Sequence, residues 1–236
     1  MKKMKTADLL ALSDEEQLLR HNLETREYWS ERERDLEDGL SYQSHHRALV
    51  PPASWIMTEG TTLYDWQEDC VNRWLEENRG TIKVVTGAGK TILALAIIEK
   101  LQALDNDLRV AIVVPTIVLQ DQWYKEILRN SNLPPSIVGR LGGGHNDSFG
   151  GNRRILLCVL KSASQRLATL VKESKVGSHL LLVADECHRA GAPDMSKVFR
   201  TDRAYNLGLS ATPEREDHME DTASDSNRQY DSSLLG

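Results

Sequence analysis

The stretch Thr86-Gly87-Ala88-Gly89-Lys90-Thr91 joins a strand-like run at residues 82–85 to an apolar, helix-like run that ends at Leu101. A glycine-rich turn between a strand and a helix is half of a β–α unit, so it commits the chain to layered α/β architectures. Glycines let the backbone curl until several N–H groups point at one anion. The helix that follows adds its unpaired N-terminal N–H groups and the positive end of its dipole. The pattern therefore predicts a phosphate-binding loop over Thr86, Gly87, Ala88, Gly89, Lys90 and Thr91. Lys90 reaches the β- and γ-phosphates and the Thr91 hydroxyl holds Mg²⁺.

The rest of the chain repeats the same grammar. Residues 109–114, 154–160, 180–184 and 206–209 are apolar runs, and helical patterns cover 90–104 and 118–129. Continuous apolar strands spaced by helices predict a mostly parallel sheet buried on both faces, and its ligands belong beyond the carboxyl ends of the strands. Ahead of this region, residues 6–40 read as a charged helical segment that opens on the capping box Ser13 to Glu16. Val50-Pro51-Pro52-Ala53 reads as a linker, which predicts a helical N-terminal segment over 1–57 and the main α/β domain over 58–236.

Composition narrows the setting. The formal net charge is -6. Acidic residues outnumber basic ones at both ends, which leaves a weakly basic middle that permits local nucleic-acid contact. Cys70, Cys158 and Cys187 show no C-x-x-C spacing, so neither a disulfide framework nor a zinc site is expected and a reducing, cytoplasmic setting fits. No apolar run is long enough for a membrane span, and acidic residues interrupt the N-terminus before a signal peptide could form.

A second constellation follows the run at 180–184, which ends in Asp185-Glu186-Cys187-His188. Adjacent carboxylates at a strand end call for a cation. Asp185 is expected to bind Mg²⁺. Glu186 points to the other side of the strand and is expected to orient an attacking water. Lys90, Asp185 and Glu186 are the predicted catalytic group, and Thr91 and Asp185 the predicted metal ligands.

These residues resemble a known family. Asp185-Glu186-Cys187-His188 is similar to the DEAD/DEAH-type box of superfamily 2 helicases and translocases. Leu209-Ser210-Ala211-Thr212-Pro213 resembles their Ser-Ala-Thr motif. Val113-Val114-Pro115-Thr116 with Leu119, Gln122 and Trp123 is similar to the motif after their second strand, and Leu63-Tyr64-Asp65-Trp66-Gln67 resembles their adenine-reading segment. The matches span residues 63–213 in family order. The resemblance implies a RecA-like fold, ATP and Mg²⁺ as ligands, and Gln67 on the adenine edge. It implies that His188, Ser210 and Thr212 couple the γ-phosphate site to the nucleic-acid groove. It also places Pro115, Thr116, Gly142, Gly143, Lys161 and Ser162 against the nucleic-acid backbone, where N–H, hydroxyl and ammonium groups suit phosphate.

Val84 and Val85 stand where related loops carry smaller residues, and Tyr64 stands where an Arg is common. Family motors also have a second RecA-like lobe with completing arginines, and too few residues follow Pro213 to form one. The expectation is an ATP-binding first motor lobe that hydrolyses weakly alone, acting with a second lobe on nucleic acid, DNA favoured over RNA. Two other readings are a non-motor, nucleotide-dependent binding module and the motor subunit of a restriction or defence complex.

Overall fold

A computed structural model describes residues 51–85, 88–186, 192–212 and 230–231. The helix expected over 6–40 lies outside the described residues. In chain order the elements are α1 (Asp65–Glu77), β1 (Arg79–Val85), α2 (Lys90–Leu104), β2 (Arg109–Val114), α3 (Ile117–Asn130), β3 (Val138–Gly142) and β4 (His145–Asn146). They continue with β5 (Ile155–Val159), α4 (Leu160–Ser174), β6 (Leu180–Asp185), α5 (Ala192–Val198), β7 (Tyr205–Thr212) and β8 (Tyr230–Asp231). The strands form one eight-stranded sheet in the order β4-β3-β5-β2-β6-β7-β1-β8. β3, β5, β2, β6, β7 and β1 pair in parallel, and β4 and β8 close the two edges antiparallel.

The apolar runs account for the centre of this sheet. Every residue of β6 is buried, as are Val110 to Val114 of β2, because helices cover both faces. α2 is apolar on nearly every side and buries Leu93, Leu95, Ile97, Ile98 and Leu101. Such a helix must be covered away from the sheet as well.

Part of that cover comes from residues 53–58, which begin at the last residue of the expected linker. Trp55 and Met57 are buried. The backbone N–H of Trp55 donates to Gln102 Oε1 at 2.9 Å, and Gln102 Nε2 donates back to the Ala53 carbonyl at 3.1 Å. Glu99 Oε2 accepts from Met57 N–H at 2.7 Å and from Thr58 N–H at 3.2 Å. This strap is therefore packed onto the lobe rather than leading up to it, and the expected boundary at 57/58 falls within it.

Candidate nucleotide site and adjoining surface

Parallel pairing brings the carboxyl ends of the strands to one edge. Val85, which enters the glycine loop, pairs with Thr212 at the end of β7, and Asp185 pairs with Leu209. The ends of β1, β7 and β6 therefore lie side by side, although their residues are far apart in sequence. The geometry brings Lys90, the first residue of α2, to Glu186: the ammonium forms an ion pair with Glu186 Oε1, and both side chains are mostly buried. Thr91 follows in the same helical turn.

The loop is braced from α1. Gln67 is buried; its Oε1 accepts from the Tyr64 N–H at 3.0 Å and its Nε2 donates to the Ala88 carbonyl at 3.3 Å. The amide expected to read adenine thus also ties the adenine segment to the phosphate loop, with one N–H and one lone pair left to offer. Gly89 caps α2 with a φ of 83°, and a Cβ there would sit 2.9 Å from Gln67 Nε2. Its left-handed conformation favours glycine, and a Cβ there would push the Gln67 amide from its place. Val84, bulkier than the residue in related loops, is buried in β1 opposite Ala211 and is accommodated by the sheet. Tyr64 is exposed.

Asp185 is 6% exposed. Its Oδ2 accepts from the indole Nε1–H of Trp123 at 2.8 Å, and its Oδ1 accepts from the Glu186 backbone N–H at 2.9 Å. Burial pushes its pKa above the ordinary carboxylate value, and the Trp123 hydrogen bond and the Lys90 charge oppose that rise. Glu186 has a φ of 52°, in the left-handed region that a residue with a Cβ seldom occupies. Glu186 is thus held in a sparsely populated backbone conformation, a feature found where local structure serves a site. Asp185 and Thr91, the expected metal ligands, offer only oxygen donors, the type that Mg²⁺ takes when it completes its shell with waters and substrate phosphates. Among the described residues no cluster of three His, Cys, Asp or Glu side chains could hold a metal without such help.

The residues expected to touch nucleic acid gather farther along the same edge. Gly142, Gly143 and Gly144 have φ values of 99°, 62° and 94°. A Cβ on Gly142 would lie 2.7 Å from Ser162 Oγ, and one on Gly143 would lie 3.1 Å from Ile117. The glycine turn after β3 therefore meets the start of α4 and the start of α3, which Pro115 and Thr116 precede. Thr116 has a structural task as well: its Oγ1 caps α3 by accepting from Leu119 N–H at 3.2 Å. Lys161 is 71% exposed, with its ammonium 3.6 Å from Asp194 Oδ2. Ser210 is buried on β7, Thr212 is described only as a strand residue, and Thr86, Gly87 and His188 lie outside the described residues.

A second amide of α3, Gln120, has a structural role that the motif around Gln122 does not mark. Gln122 is exposed, whereas Gln120 is fully buried and donates from Nε2 to the carbonyls of Leu141 at 3.2 Å and Leu157 at 2.9 Å. It ties β3 to the middle of β5. The 3.6-residue period held the clue, because Gln120, Trp123, Tyr124 and Ile127 share one helical face.

Residues 60–215 match the family model described as Type III restriction enzyme, res subunit. The chain is 34% identical over 197 residues to a DNA 3'-5' translocase XPB2 of Sulfurisphaera tokodaii, an alignment that covers 82% of this chain and 39% of that protein. It is 29% identical over 160 residues to a putative DNA 3'-5' helicase Rad25 of Haloarcula marismortui, covering 67% of this chain and 24% of the relative. The fold is that of the UvsW helicase from bacteriophage T4, with a TM-score of 0.54 at 18% identity over 66% of this chain and 56% of that one. The chain thus spans well under half the length of these curated relatives.

Proposed function

Because the chain belongs to the Type III restriction enzyme, res subunit, family, we propose that it is the ATP-binding motor lobe of a DNA-dependent helicase or translocase. The observation that carries this reading is the contact of Lys90 with Glu186 beside the buried Asp185. Those three residues come from two distant segments, and together they supply the charges that phosphoryl transfer needs.

Each residue has a task that follows from its place. Lys90 exchanges its carboxylate partner for the β- and γ-phosphate oxygens when a triphosphate enters the loop. That exchange releases Glu186 to orient the attacking water. Asp185 and the Thr91 hydroxyl hold Mg²⁺, which neutralises phosphate charge. Gln67 joins the adenine end of the site to the loop through Ala88. Ser210, Thr212 and His188 relay the state of the γ-phosphate towards the nucleic-acid surface made by Pro115, Thr116, Gly142, Gly143, Lys161 and Ser162. The partners are duplex or single-stranded DNA and a second RecA-like lobe, and the setting is the cytoplasm. Two named relatives act on DNA, and the chain matches only part of their length. Among the described residues, no helix is long and apolar enough to cross a membrane.

The description of the matching family favours one variant of this reading, the motor subunit of a restriction complex. A nucleotide titration tests the shared core of both. Lys90→Ala abolishes binding of ATP·Mg²⁺, and equal affinity in wild type and variant overturns the site. ATPase stimulation by single- and double-stranded DNA and RNA, measured on the protein joined to its second lobe, tests the choice of DNA.

A further inference from the structure

The hydrogen bond from Trp123 to Asp185 links a helix in the nucleic-acid half of the lobe to the proposed metal carboxylate. Both residues are buried, and 62 positions separate them in the chain. We propose that Trp123 is a positioning residue for magnesium: its indole N–H fixes the orientation in which the Asp185 carboxylate meets the metal. This inference rests on the reading of Asp185 as the magnesium ligand.

Three observations support the assignment. First, the two carboxylate oxygens are held separately, Oδ2 by the indole and Oδ1 by the Glu186 N–H. The carboxylate torsion is broad when unrestrained. Two donors from different elements restrict it, and each oxygen keeps a lone pair for the metal or its waters. Second, the donor is of a suitable kind. An indole has one N–H, no acceptor and no charge. It cannot flip as an amide can, and it does not neutralise Asp185 in competition with a cation as Lys or Arg would. Third, the helix that carries Trp123 is itself fixed. One turn earlier, Gln120 is bonded to the Leu141 carbonyl of β3 and the Leu157 carbonyl of β5, and Thr116 caps the helix start. The indole is therefore delivered from a frame anchored at several points on the carboxyl edge.

A large buried side chain also packs, so the test must separate packing from donation. Outer-shell partners of metal ligands typically contribute about 10–100-fold to metal affinity. In the 236-residue chain, binding of a fluorescent ADP or ATP analogue is titrated against Mg²⁺ and repeated in EDTA. Trp123→Phe is expected to raise the Mg²⁺ concentration for half-maximal binding by about 10–100-fold, with affinity in EDTA unchanged. An equal loss with and without Mg²⁺ assigns Trp123 to packing alone and overturns the proposal, as does an unchanged Mg²⁺ requirement. Should Trp123→Phe fail to fold, Trp123→benzothienylalanine, which replaces the N–H by sulfur at nearly constant shape, gives the same readout. Asp185→Asn runs alongside: if its Mg²⁺ dependence matches wild type, the carboxylate itself is misassigned. If only the Trp123 variants match wild type, the positioning role fails and the site stands.

Discussion

The carboxyl edge of the sheet holds two surfaces built on opposite terms. Where β1, β6 and β7 end, charged side chains are drawn inward and partnered within the lobe, Lys90 with Glu186 and Asp185 with the Trp123 indole. Where β3 and β5 end, the groups face outward instead: glycines at positive φ, the Thr116 cap, the exposed Ile117 and Val118, and the exposed ammonium of Lys161. Buried charges strengthen one another in a low dielectric and suit a ligand of fixed shape and charge. Backbone donors and small residues suit a repeating phosphate chain, whose identity they do not read. α3 belongs to both surfaces, with its start beside the glycine turn and Trp123 at the carboxylate.

The largest effect that could break this contrast comes from Glu186→Gln. If Glu186 orients water, hydrolysis falls by about 10²–10⁴-fold. Nucleotide affinity does not fall, because Lys90 loses a competing carboxylate. Steady-state ATPase and a nucleotide titration on the same preparation decide the matter. A variant that hydrolyses normally removes Glu186 from the chemistry and leaves only the ion pair.

A smaller effect comes from the other surface. Gly142 has a φ of 99°, and an added Cβ would approach Ser162 Oγ to 2.7 Å and Val159 Cβ to 2.9 Å. Gly142→Ala should therefore cost about 1–3 kcal/mol of stability in chemical denaturation through backbone strain, and it should weaken nucleic-acid binding. Nucleotide affinity without nucleic acid should hold, since the turn lies away from the loop at 86–91. Loss of both binding activities together would show that the two surfaces are one.

The same contrast explains what could be read in the sequence. The nucleotide corner was legible because its chemistry is local: a glycine loop after a strand and two carboxylates at a strand end each carry their own signature. The parallel sheet was legible because β2, β5 and β6 are unbroken apolar runs. β3 was not, because Val138-Gly139-Arg140-Leu141-Gly142 is short and interrupted. Its charged Arg140 side chain finds partners only in the folded lobe, with its guanidinium 4.4 Å from the Tyr124 ring centroid and 3.5 Å from Asp121 Oδ1. The strap at residues 53–58 was hidden for a related reason. Its partners, Glu99 and Gln102, sit one turn apart on α2 and read in the sequence as ordinary polar helix residues. Trp123 carried no signal of its contact, since a buried indole needs an acceptor but the sequence does not say which.

The smallest expected effect is also the most selective. Lys161 stands at the start of α4 beside Ser162, exposed, with Asp194 of α5 near its ammonium. An exposed pair of this kind contributes little to folding, so Lys161→Gln should leave the denaturation midpoint and nucleotide affinity unchanged. Its contribution to nucleic-acid binding would instead be electrostatic. Neutralising one phosphate releases one condensed counterion, so the slope of log affinity against log salt should fall by about 1 in the variant. Affinity should drop evenly across sequences, because phosphate carries no base identity. An unchanged slope would confine Lys161 to its pairing with Asp194 and shrink the proposed nucleic-acid surface to the glycine turn, Pro115, Thr116 and Ser162.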